Sequence, residues 1–188
     1  MDVSTLDEHE SDDAASGGVV LRELGRPGDL GWVLQAHGEL YAAEYEWAVE
    51  TVTARIVADY AQSAQPGRDA AWVAELDGHR VGCVFCVRLD ARTAKLRLLL
   101  VDPRARGHGL GHRLVARCIE FARSAGYRRL VLWTNDPLAA ARHVYLRAGF
   151  QLTGQESHHE FGLELLGQEY ELDLTPSASP ASAATAAT

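Results

Sequence analysis

No apolar run in the 188-residue chain is long enough to cross a bilayer, which leaves out a spanning helix and a membrane partner. The opening stretch, MDVSTLDEHESDDAASGG, lacks both a basic end and an apolar core, so it does not read as a secretory signal. An excess of basic charge is lacking too, since 18 Lys and Arg face 26 Asp and Glu. Six of the acids lie in residues 1–18, which hold no Lys or Arg; the rest of the chain then has 20 acids against 18 bases, a net charge of −2. A body so nearly neutral argues against a nucleic-acid partner, which needs a basic face. Cysteines are few, and their odd count of three suits a reducing compartment. Cys83 and Cys86 have C-x-x-C spacing, which invites a metal or redox reading. They lie in the strand-like run RVGCVFCVRLD, however, where residues three apart point to opposite faces, so a structural role and no metal are expected.

What is present fits one globular domain over residues 19–174, with 47% hydrophobic residues to form its core. Residues 1–18 read as a disordered acidic tail, and 175–188, made of Ala, Ser, Thr and Pro, as a second one. VVLREL predicts a strand. Two helices follow, the first carrying Leu30, Val33, Leu34, His37 and Tyr41 at helical spacing, with Asp29 as its cap. AAWVAEL, RVGCVFCVRL and AKLRLLLV predict three strands, and Asp77-Gly78 a hairpin between the first two. An amphipathic helix from Leu110, the strand RRLVLWT, a helix capped by Asp136, and the strands FQLTGQE and QEYELDL complete the chain. The order β-α-α-β-β-β-α-β-α-β-β predicts an α/β (α+β mixed) domain with helices on both faces of a mixed sheet.

Between the fourth strand and the amphipathic helix lies RARGHGLGHRL, with three glycines and three arginines in residues 104–114. The first amides of a helix have no intrahelical partner and sit at the positive end of its dipole. Glycines there let a phosphate or pyrophosphate approach the backbone. A turn that only reverses the chain is the plainer alternative. The P-loop is excluded because no Gly-Lys-Ser or Gly-Lys-Thr is present. The dinucleotide fingerprint fails at its third glycine and follows the wrong strand.

The spacing R106-x-x-G109-x-G111, with AARHVYLRAGF downstream, resembles the GNAT superfamily of acetyl-CoA-dependent N-acetyltransferases. HGELYAAEYEW is also similar to the acetyltransferase half of proteins that fuse a MarR-type domain to a GNAT domain. The resemblance covers residues 19–174 and implies a mostly antiparallel sheet of about seven strands. It implies that the backbone of Leu99, Leu100 and Val101 pairs with the pantetheine arm of acetyl-CoA. Arg106, Gly107, His108, Gly109, Leu110, Gly111 and His112 would then hold the pyrophosphate. Tyr145 matches the tyrosine that protonates or stabilises the departing thiolate; the plainer alternative is a core tyrosine. Where many members place an Asn seven residues before that Tyr, this chain has Leu138, and Asn135 either substitutes for it or shapes the turn.

The amine needs a base within reach. Some members keep a Glu on the strand before the loop, but here that strand carries Lys95 and Arg97. Glu44 is the expected base, with His37, His158 and His159 as alternatives. Lys95 and Arg97 form an outward polar face or else line the acceptor cleft, where they would favour a carboxylate. The activity implied is direct transfer of acetyl from acetyl-CoA to a primary amine of a small molecule, amino acid or peptide, with no covalent cysteine step. The alternative is a non-catalytic acyl-CoA sensor. A cytoplasmic, bacterial setting is expected, and a homodimer is left open.

Overall fold

The computed structural model describes residues 18–161 and 163–175, so nearly all of both predicted tails lies outside the described residues. In chain order the elements are β1 (Val19–Glu23), α1 (Asp29–Tyr45), α2 (Glu50–Ser63), β2 (Ala70–Leu76), β3 (His79–Arg88) and β4 (Thr93–Val101). After a 3-10 turn (Pro103–Ala105) come α3 (Leu110–Ser124), β5 (Arg129–Asn135), α4 (Ala139–Arg147), β6 (Gln151–Glu160) and β7 (Leu163–Asp173). The strands form one sheet in the order β1-β2-β3-β4-β5-β7-β6. Only β4 and β5 run parallel. Asp77 and Gly78 both have positive φ, as a two-residue hairpin turn requires.

Alternation along the strands divides the core. Cys83 and Phe85 point to the face that packs against Val33, Val57 and Tyr60 of α1 and α2. Ala74, Cys86, Ala94 and Leu96 point to the other face, against Leu114 and Cys118 of α3 and Tyr145 of α4. Complete burial of Phe85 alone contributes about 2–3 kcal/mol. The C-x-x-C pair therefore faces two different cores, and burial pushes the Cys83 thiol well above its ordinary range.

Two helix starts differ from expectation. Asp29 is the first residue of α1 and not its cap; Gly28, at φ 87°, is. The Asp29 carboxylate is buried and accepts hydrogen bonds from Arg22 Nη1 (2.8 Å), Arg80 Nε (2.8 Å) and the amides of Gly25 and Arg26. Chiefly through Arg22, these bonds hold its carboxyl well below the usual range. Asp136 does not cap α4, whose N-cap is Leu138; it forms an ion pair with Arg142 at 3.1 Å instead. Near the C-terminus, β6 runs on to Glu160, beyond the predicted run FQLTGQE, so His158 and His159 lie in the strand.

Candidate active site

The site begins with a fault in β4. Cys83 pairs with Leu100 while Phe85 pairs with Arg97, so two residue steps of β3 face three of β4. The extra residue forms a bulge, and Leu98 takes φ 53°, a left-handed conformation that is strained for a non-glycine residue. The Leu98 carbonyl accepts a hydrogen bond from Cys83 Sγ at 3.2 Å. On the other side of β4, the ladder to β5 stops at Lys95↔Val131. Beyond it, β5 continues to pair with β7 while β4 leaves it, and the two parallel strands open into a V.

A cavity of about 500 Å³ lies at the mouth of the V. Leu99–Val101 line one wall, α1 and α4 the others, and Arg106, Gly107 and Gly109–His112 the end. Gly107 (φ 81°) and Gly109 (φ 69°) are left-handed, and Gly109 is the N-cap of α3. A Cβ on either would meet nothing within 4 Å, so glycine is required there by backbone conformation and not by crowding. Gly111 differs, since a Cβ there would stand 3.3 Å from Val144 of α4. The first amides of α3 open onto this end of the cavity without intrahelical acceptors.

A second cavity, about 340 Å³, shares Tyr41, Leu99, Leu138 and Ala141 with the first. Trp47, Trp133 and Phe161 give it aromatic walls. Tyr145 also lines it, buried against Phe150 and Tyr170, and desolvation pushes its phenol far above the ordinary tyrosine range. His37 is buried here, with Nδ1 donating to the Val33 carbonyl at 2.8 Å; burial pushes its pKa down to about 4, so the ring is neutral at pH 7.

A V between parallel strands, a glycine turn at its mouth and a helix N-terminus at its end together fit a long thioester carrying a pyrophosphate. Residues 34–150 match the family model described as the acetyltransferase (GNAT) family. The chain belongs to that family. It is 38% identical over 93 residues to human N-acetyltransferase 8B, covering 47% of this chain and 41% of that protein. Over 96 residues it is 35% identical to N-acetylaspartate synthetase of Rattus norvegicus, covering 50% of this chain and 32% of that protein. The matched stretch is thus less than half of either relative. The solved structure of a GNAT family acetyltransferase from Elizabethkingia anophelis, with acetyl-CoA bound, shares the fold at a TM-score of 0.60 and 15% identity, covering 83% of this chain and 98% of that one.

The GNAT motifs anticipated in the sequence sort between the two cavities. Leu99, Leu100, Val101, Arg106, Gly107, Gly109, Leu110, Gly111 and His112 meet in the first. His108 is exposed, its Nδ1 3.0 Å from the Arg106 carbonyl oxygen. Asn135 and Tyr145 line the second. Asn135 is buried and accepts a hydrogen bond from His158 Nε2 at 2.8 Å. Glu44, expected as the base, lines the first cavity and pairs with Arg106 at 2.7 Å, away from the aromatic pocket. Sequence reasoning missed Trp133, Glu160 and Phe161. Gly167 makes room for Trp133, since any Cβ there would fall 2.7 Å from the indole, a contact between strands that no local pattern shows. Lys95 and Arg97 are not an outward polar face: both are half-buried and line the second cavity.

Proposed function

We propose that the protein is an N-acetyltransferase that takes acetyl from acetyl-CoA and delivers it to a primary amine of a small molecule, amino acid or peptide. The observation that carries this reading is the opening between β4 and β5 beside a left-handed glycine turn at the start of α3. When bound, acetyl-CoA supplies the acetyl thioester. The backbone of Leu99–Val101, left without a strand partner toward β5, would pair with the pantetheine arm. The amides from Gly107 to His112 would hold the pyrophosphate. Leu138, at the junction of the cavities, offers apolar contact where many family members have an amide.

The amine would reach the thioester from the second cavity. His37, through Nε2, and the Glu160 carboxylate line that cavity and are the groups placed to receive its proton. Tyr145 holds a proton at its phenol oxygen, because desolvation keeps the phenol neutral, and would give a hydrogen bond or proton to the departing sulfur. The two relatives named as an N-acetyltransferase and an N-acetylaspartate synthetase support an amine acceptor.

Thiol release from acetyl-CoA with pooled amines, amino acids and peptides tests the reading. Wild type should show acceptor-dependent release, and Tyr145→Phe should lower kcat about a hundredfold with acetyl-CoA binding intact by calorimetry. Binding without release for any acceptor would make the domain an acyl-CoA sensor.

A further inference from the structure

Lys95 is the single lysine of the chain. Its neighbours Ala94 and Leu96 point into the core beneath α3 and α4, so Lys95 and Arg97 point to the side of α1 and α2. Both line the second cavity and both are half-buried. Neither makes a hydrogen bond or ion pair among the described residues, and their charge interactions with Glu169 and Asp59 act beyond contact distance. The contrast with the other cations is plain. Arg22, Arg80 and Arg106 are paired with carboxylates, and Arg55, Arg92, Arg123, Arg128 and Arg147 are exposed to water. Two like charges two residues apart, partly desolvated and unpaired, are unfavourable unless an anion joins them. Burial lowers the pKa of both, and Arg97 lowers that of Lys95 further.

The phosphates of a coenzyme would not be that anion, since the glycine turn and the α3 N-terminus lie at the end of the first cavity, which neither side chain lines. Glu160 also lines the second cavity, so it carries one acid beside the two cations. That combination suits a zwitterion. We propose that Lys95 and Arg97 bind the carboxylate of the acceptor, and that the acceptor is therefore a free amino acid. Its amino group would face Glu160 and the junction with the first cavity. Trp47, Trp133 and Phe161 would surround its side chain. The inference rests on the acetyltransferase reading.

The test measures thiol release from acetyl-CoA by the full chain with L-aspartate, L-leucine and L-phenylalanine, each against its α-carboxamide. At least one free acid should exceed its amide tenfold or more in kcat/KM. In Lys95→Ala and Arg97→Ala that ratio should collapse toward one through a raised KM for the acid, and Arg97→Lys should restore most of it. Equal rates for acids and amides in wild type would overturn the inference while leaving the acetyltransferase reading intact, and that comparison needs no variant to fold. A ratio unchanged in folded Lys95→Ala and Arg97→Ala would overturn it too. No release with any of these acids or amides, despite bound acetyl-CoA, would overturn the inference, and the pooled small amines and peptides would then decide the acetyltransferase reading separately.

Discussion

Glu44 Oε1 lies 2.7 Å from Arg106 Nη2 at the rim of the first cavity, with both side chains partly exposed. Such a pair is worth little, on the order of 0.2–1 kcal/mol, and salt screens it. Its interest is positional, because the Arg106 guanidinium is held by a carboxylate where a phosphate would compete for it. Glu44→Gln removes that competitor. Acetyl-CoA should bind up to about fivefold more tightly at low salt, and the gain should shrink as salt rises. The pH dependence of kcat should not change. A kcat loss of about a hundredfold would instead make Glu44 the base. Leu98 is the other residue whose role exceeds its side chain. Its left-handed backbone holds the β4 bulge, and the strain, roughly 1–3 kcal/mol, is kept where the strands must part.

At the scale of elements, the start of α3 decides whether an anion is held. Gly109 caps the helix in a left-handed conformation with open space around its Cα. Gly109→Ala should therefore cost about 1–2 kcal/mol through backbone strain alone. Acetyl-CoA affinity should drop by about tenfold as the amides lose their alignment. Gly109→Asn should be milder, because Asn visits this conformation more readily. Denaturant midpoints and calorimetric affinities for both variants check the order; equal losses would show that the space and not the backbone matters. The strand pair is the other deciding element. A parallel ladder limited to Thr93–Lys95 with Arg129–Val131 anchors one end of the V and frees the other.

Across the whole molecule, the layer of α1 and α2 brings a histidine into the core. His37 is buried with a pKa pushed down to about 4 from 6.5. A folded-state pKa below the unfolded one means that the unfolded chain takes up the proton first. Stability from the neutral ring is then complete above about pH 6.5 and is lost as pH falls toward 4, by about 3 kcal/mol in all. Denaturant unfolding at pH 7.5 and at pH 5 should show this loss in wild type and a smaller one in His37→Gln. An equal loss in both proteins would remove His37 as its source. Asp29, whose carboxyl is depressed by Arg22, adds a separate loss only below the ordinary carboxylate range.

Local patterns in the sequence determined the order of elements, the hairpin at Asp77-Gly78, the opposite faces of Cys83 and Cys86, and the glycine turn before α3. Each of these depends on neighbours in the chain, on alternation, or on a backbone conformation that glycine adopts most readily. Capping was less legible: Asp29 and Asp136 suit a cap by type, but Arg22, Arg80 and Arg142 drew their carboxylates into ion pairs. The site was split in the same way. The R-x-x-G-x-G loop was readable because it is contiguous. Only the tertiary structure decided that Glu44 meets Arg106, that Asn135 meets His158, and that Lys95 and Arg97 share a pocket with Trp133 and Phe161. Those contacts join residues far apart in the chain, and their geometry follows from the β4 bulge and the register of β5 with β7, which no local pattern specifies.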